Sequence, residues 1–449
     1  MASTYLSRSV SSTGNRRKWT WSAWIKRSGL GQAYLATSNN GSNQYSMMAF
    51  DASDVLRYYD YTSDYQTHLK TSRKLRDTNA WYHIVYTYDS AQSTASDRLK
   101  IYVNGVQETS FGTSSYPSQN YDSYMNVSGI PHYLGRETGT SYLFDGIMSH
   151  VHFCDGYAYS PSDFGSTDST TGEWKINVSP SVSYGTNGYF MFKDDNSVND
   201  DSGNGNNFTL TAGTLTKTED CPSNVFATLN PNDVMKQSSG ILKPTYSNGN
   251  LTMANGANDN RQAFATLSPE TGKWYWEMKI DTAATTGHRI GVFFGNDKTH
   301  SGSYYYGTDA FYIHQNGEIY YNGSSTTYMA SYTAGDIISV AMDVTNGNIY
   351  MSKNGGANDS TWADGSGNNN QAFPGTSING KLSASWISGP ATPFFDVYGN
   401  GNKQSVNFGN GYFGTTAVSS AGTNASGNGI FEYDVPTGYT ALSTKGLNE

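Results

Sequence analysis

The sequence has two cysteines in 449 residues, Cys154 and Cys221, far apart along the chain. That excludes a disulfide framework and any cysteine-rich metal site. Charge is scarce as well: 14% of residues are charged and the net charge is −9. So few cations argue against a general nucleic-acid-binding role. No apolar run approaches the ~18 residues of a membrane-crossing helix, so no membrane insertion is expected. The opening Met1–Ala2–Ser3–Thr4–Tyr5 has no apolar stretch, so no secretory signal is expected.

Catalytic patterns are missing too. His-Glu-x-x-His, Cys-x-x-Cys and Gly-x-Ser-x-Gly do not occur. Glycosidases need two carboxylates flanking the scissile bond. No Glu-x-Asp-x-x-Glu run supplies them; Glu277 and Asp281 flank one strand without a second Glu. His150 and His152 share a strand face, which suits either a metal or a packed pair. Gly409–Gly414 matches Gly-x-Gly-x-x-Gly but opens no helix of a βαβ unit, so a phosphate-binding role is not expected. The expectation is a protein that is not an enzyme.

What the chain has in quantity is aromatics and turns. It holds 35 Tyr, 9 Trp and 48 Gly, which argues for folded, loop-rich β structure. Asn–Gly occurs fourteen times, and this dipeptide tolerates the positive φ of tight hairpin turns. Between such turns, Ile338, Val340, Met342 and Val344 alternate onto one face, which predicts a strand with that face buried. No amphipathic helix of useful length is visible. The predicted fold is all-β: two antiparallel β-sandwich (jelly-roll) domains in tandem. The expected layout is an N-terminal arm at 1–16, a sandwich at 17–225, a linker at 226–244 and a second sandwich at 245–449.

Particular motifs give these sandwiches a family likeness. Trp19–Ile25, Trp81–Tyr86, Leu99–Val106, Tyr133–Leu134–Gly135 and Phe144–Asp145–Gly146 resemble the laminin-G-like (concanavalin A-like) lectin superfamily. Tyr184–Phe190 and Asp201–Ser202–Gly203–Asn204–Gly205 continue that resemblance. Gly272–Glu277, Gly335–Ile338, Ser352–Gly355 and Asn407–Phe408–Gly409 resemble a SPRY domain. The combination, with His152–Gly156, Pro161–Gly165 and Phe226–Pro231, is similar to virion proteins of marine tailed bacteriophages. The resemblance implies a tail-fibre or adhesin component that binds a host-surface glycan or protein. It leaves two other readings: a capsid decoration or head-fibre protein making only virion contacts, and a polysaccharide hydrolase. It also implies a place on the virion surface, in many copies or as a homo-oligomer.

Candidate binding residues follow from aromatic clustering. Sugar recognition uses aromatic rings with amides or carboxylates beside them. Tyr58, Tyr59, Tyr61 and Tyr65 form one cluster, with Asp60 and Asp64 among them, Tyr304 and Tyr305 belong to a second, and Trp362 stands in a polar loop. Asp195 and Asp201 lie in an acidic loop. The family resemblance implies that Asp201 helps bind Ca²⁺; the alternative is an Asx-rich turn that caps its own backbone. Residues 1–50 contain no acid but include Arg8, Arg16, Arg17, Lys18, Lys26 and Arg27. This basic region is expected to be either a docking surface for other virion proteins or a solvated strand face.

Overall fold

A computed structural model describes residues 4–139, 141–233, 236–237, 240–294, 299–300, 310–321, 324–356 and 390–447. The chain divides into two compact units, Met1–Lys217 and Thr218–Glu449. Both are built mainly of antiparallel sheets, with a short parallel pairing of Thr440–Ala441 on Lys273–Thr282 in the second.

The first unit packs an eight-stranded sheet against a six-stranded one. The larger sheet runs Phe111–Ser115, Tyr65–Lys74, Val55–Thr62, Gln44–Phe50, Ala33–Asn39, Pro131–Leu134, Tyr5–Ser9, Thr209–Ala212. The smaller runs Tyr189–Met191, Gly146–Asp155, Lys18–Arg27, Trp81–Asp89, Leu99–Val103, Val106–Gln107. Trp19, Trp21, Ala23 and Ile25 alternate inward from one sheet, and Met48, Phe50, Leu56 and Tyr58 from the other, into a single core. Asn104 and Gly105 turn the Leu99–Gln107 hairpin, both at positive φ, as a type I′ turn requires. The outer face of the smaller sheet is also buried. Its Trp24, His83, His152 and Phe190 lie beneath Phe164, Trp174 and Tyr184, which come from residues 156–188.

The second unit is also a sandwich. One sheet contains Thr245–Ser247, Thr252–Ala254, Lys403–Asn407, Lys273–Thr282, Ile337–Asp343 and Asn348–Lys353. The other contains Asn260–Phe264, Thr392–Tyr398, His288–Phe293, Ala310–His314, Glu318–Tyr321 and Ser324–Thr327. Ile338, Val340 and Met342 face its core, as their spacing predicts, and Val344 follows just past the strand. The Gly409–Gly414 run forms a turn: the Asn407 side-chain oxygen accepts N–H bonds from Gly409 at 2.9 Å and Gly411 at 3.2 Å.

Two expected boundaries differ from the structure. Residues 226–229 are not linker: Phe226, Ala227 and Leu229 are buried in the second unit, bridged to Ser443, Leu442 and Ala265. Their polar neighbours masked a short apolar run. The described part of the expected arm, residues 4–16, is not free either. Tyr5–Ser9 is an interior strand of the larger sheet, and Leu6 and Val10 are buried.

Candidate functional site

The eight-stranded sheet carries an aromatic outer face. Strand pairing sets Tyr45 beside Tyr61 and Tyr61 beside Tyr65; Met47 beside Tyr59 and Tyr59 beside His68; Ala49 beside Arg57 and Arg57 beside Lys70. Such a face is ordinarily polar where it meets water. Here Tyr59 forms the floor, buried with Tyr34, Met47 and Ala49. Tyr45 and Tyr61 stack at 5.1 Å above it, and Tyr65 stacks on His68 at 4.5 Å. Tyr65 is 47% exposed, and Tyr142, edge-on to Tyr34, is 53% exposed. The Tyr61 and Tyr65 rings are held by one another, edge to face at 5.4 Å. Rigid tyrosines give contact area and hydroxyls at small entropic cost, the property that makes them frequent in recognition surfaces.

The expected tyrosine cluster thus divides. Tyr61 belongs to the surface and Tyr59 to its floor. Tyr58 points the other way, fully buried, with its hydroxyl donating to Asp60 at 2.9 Å. Period-two alternation along Val55–Thr62 forces this split. Tyr65, expected in the cluster, joins the surface from the next strand; Tyr45 and His68 were missed because they come from neighbouring strands, and Arg57, on the tyrosines' own strand, because it is not aromatic. Tyr304, Tyr305 and Trp362 lie outside the described residues.

The acidic loop is an Asx turn. Asp200 organises it: one carboxylate oxygen accepts from the N–H of Phe190 and Ser202, the other from Ser202 Oγ and Asn206 N, all at 2.8–2.9 Å. Asp195 accepts from Ser197 N at 2.7 Å. The Asp201 carboxyl is raised above its usual range by partial burial, then by the charge of Asp195. Among the described residues no cluster of three or more His, Cys, Asp or Glu side chains could hold a metal. The most central carboxylate of the loop, Asp200, spends both its oxygens on donors within the loop.

The basic stretch is likewise committed within the unit. Arg8 is buried and donates to Asn187 O at 3.0 Å. Arg16 donates to Ser123 O, Arg17 pairs with Asp122, and Lys18 with Asp89. Arg27 is buried against Phe50 and pairs with Asp54 at 3.0 Å, and Lys26 is buried as well. The absence of acids before Asp51 is a feature of sequence, since the partners come from later in the chain.

One arrangement resembles a nucleophile and its base. Ser22 Oγ lies 2.8 Å from His83 Nε2. The Trp174 indole N–H donates to the other ring nitrogen, Nδ1, at 3.0 Å. An indole can only donate, so Nδ1 is the unprotonated nitrogen and Nε2 carries the proton. His83 then donates to Ser22 and cannot accept its proton. Burial lowers the His83 pKa to about 3. The pair is structural. His150 and His152 are a packed pair, bonded to Ser149 Oγ and the Tyr184 hydroxyl.

Comparison with known proteins agrees with this architecture. Residues 2–163 match the concanavalin A-like lectin/glucanases superfamily, and residues 273–390 match the SPRY domain. The chain carries these two β-sandwich domains in tandem. No curated protein matches significantly. Among solved structures, the SPRY domain of human HERC1 is 17% identical, covering 40% of this chain and 96% of that one, with a TM-score of 0.29. A heptameric SAP-like pentraxin from Limulus polyphemus is 15% identical, covering 35% and 71%, with a TM-score of 0.27. Domain 4 of AbnA, a GH43 extracellular arabinanase from Geobacillus stearothermophilus solved with arabinotriose, is 16% identical, covering 33% and 65%, with a TM-score of 0.26. Likenesses this distant carry no argument about ligand or activity.

Proposed function

We propose that this chain is a non-enzymatic attachment protein whose first domain binds a surface glycan over its tyrosine face. The observation that carries the reading is the solvent-facing set Tyr45, Tyr61 and Tyr65, none of whose hydroxyls makes a hydrogen bond within the described protein. The lectin-like match supports a binding role. The sequence resemblance to tailed-phage virion proteins supports a finer reading, a tail-fibre or adhesin component on the virion exterior. Other virion proteins are its assembly partners in that reading, through surfaces other than the committed basic residues.

A shallow aromatic surface binds weakly. Each aromatic anchor contributes on the order of 1 kcal/mol, so a single site works at roughly high-micromolar to millimolar ligand. Attachment then depends on many copies acting together. The test is binding of a clustered full-length chain to host cells or extracted host polysaccharide. Tyr61→Ala and Tyr65→Ala should reduce it together. Undiminished binding by the double variant would overturn the site. Locating the chain in intact particles by cryo-electron microscopy separates a fibre tip from a capsid decoration.

A further inference from the structure

Arg57 and Lys70 stand directly opposite one another on neighbouring strands of the tyrosine face. Like charges in that position repel. Lys70 is neutralised by Asp51. Arg57 has no carboxylate partner among the described residues: its hydrogen bond is from Nη2 to the Tyr59 hydroxyl, a long 3.4 Å, and its Nε is buried without a partner. Its guanidinium lies 4.8 Å from the centre of the Tyr59 ring. Glu137 is near enough to feel the charge of Arg57 but forms no ion pair with it. The floor tyrosine thus fixes the guanidinium while most of its donors stay unused. His68, across from Tyr59, adds no charge at neutral pH, because burial and then the charges of Arg57 and Lys70 lower its pKa; Arg57 is the uncompensated cation of this face.

The geometry points to an anion receptor: the tyrosine face takes a carboxylated polysaccharide, a polyuronate, with a carboxylate on Arg57 and ring hydroxyls on Tyr61 and Tyr65. A planar carboxylate fits the guanidinium fork through two parallel bonds, which is why it is preferred here over other anions. The inference rests on reading this face as a glycan site.

The experiment measures retention of the clustered full-length chain on immobilised polygalacturonate, on the same polymer fully methyl-esterified, and on dextran sulfate. Esterification removes the charge and keeps the sugar backbone. Retention on polygalacturonate should exceed that on the ester by roughly tenfold or more, the worth of a charge-assisted hydrogen bond. It should weaken as NaCl rises. Arg57→Gln should abolish the preference at an unchanged melting temperature. If that variant does not fold, the salt response of the wild type decides. Equal retention on acid and ester overturns the charge inference and leaves the glycan reading standing. Preference for dextran sulfate overturns the choice of carboxylate. Retention on none of the three overturns the glycan reading and this inference with it.

Discussion

Tyr58 and Tyr59 are neighbours in the chain and lie on opposite faces of one strand. Tyr58 is fully buried beside Trp19 and Tyr88, while Tyr59 floors the outer surface. Their substitutions should therefore separate stability from binding. Tyr58→Ala should cost about 3–5 kcal/mol, as for other large aromatic truncations in a core. Tyr65→Ala should change stability by less than ~1 kcal/mol, since it removes an exposed ring. Thermal melts of the two variants, alongside glycan retention, check this. A large loss of stability from Tyr65→Ala would make it a packing residue.

That split shows how far the sequence could be read. The all-β class and tandem sandwiches followed from Asn–Gly turns and alternating strands such as Ile338–Val344. The tyrosine run at 58–61 was visible as composition, and applying the strand period to it would have sorted core from surface. The same period places Arg57, two residues before Tyr59, on the outer face. Tyr45 and His68 could not be found that way: they join only through pairing between strands, and register is set by the whole sheet. The ion pairs of the basic residues before Asp51 were hidden from the sequence for the same reason: Asp54, Asp89 and Asp122 reach them from later in the chain.

The N-terminal strand should be needed for folding. Tyr5–Ser9 pairs on both sides, with Pro131–Leu134 and with Thr209–Ala212. Deleting residues 1–16 would expose both neighbouring edges and remove buried Leu6, Val10 and Arg8. Leu6→Ala alone should cost about 2–5 kcal/mol. The deletion should unfold the first unit and leave the second with its own melting transition. Calorimetry of the truncated chain tests this, and two intact transitions would contradict it.

Acid should weaken the first unit through His83. The Trp174 N–H occupies Nδ1, so protonation there breaks the bond. Burial depresses the folded pKa from 6.5 to about 3. The neutral ring is favoured in the folded state, so this contribution is complete above pH 6.5 and is lost as pH falls from 6.5 towards 3. At pH 5 the loss from His83 is about 2 kcal/mol, at 1.36 kcal/mol per unit. His83→Gln removes the titration. The stability gap between wild type and variant should therefore narrow by about that amount between pH 7 and pH 5. Denaturant melts at the two pH values measure it, and a constant gap would contradict the assignment.

Glu277 should hold the last part of the chain onto the second sandwich. The side chain is fully buried in the middle of Lys273–Thr282. One carboxylate oxygen accepts from the Tyr275 hydroxyl at 3.0 Å and Tyr433 N at 2.9 Å. The other accepts from Glu432 N at 3.0 Å and Asn407 Nδ2 at 3.3 Å. Burial pushes the carboxyl up to about 7, opposed by these four donated bonds. Glutamine keeps the shape but places an NH₂ where two donors already point. With the NH₂ towards Tyr275 the hydroxyl turns to accept and the Tyr433 N–H is left facing another donor; with it towards Glu432 and Asn407 both of those bonds are lost, so the first orientation is favoured. Glu277→Gln should therefore cost about 2–3 kcal/mol. The damage should appear as faster hydrogen exchange at the amide of Tyr433, because it loses its acceptor. Slow exchange there in the variant would show that packing of Phe431 against Tyr275, at 4.8 Å, holds the segment without the acid.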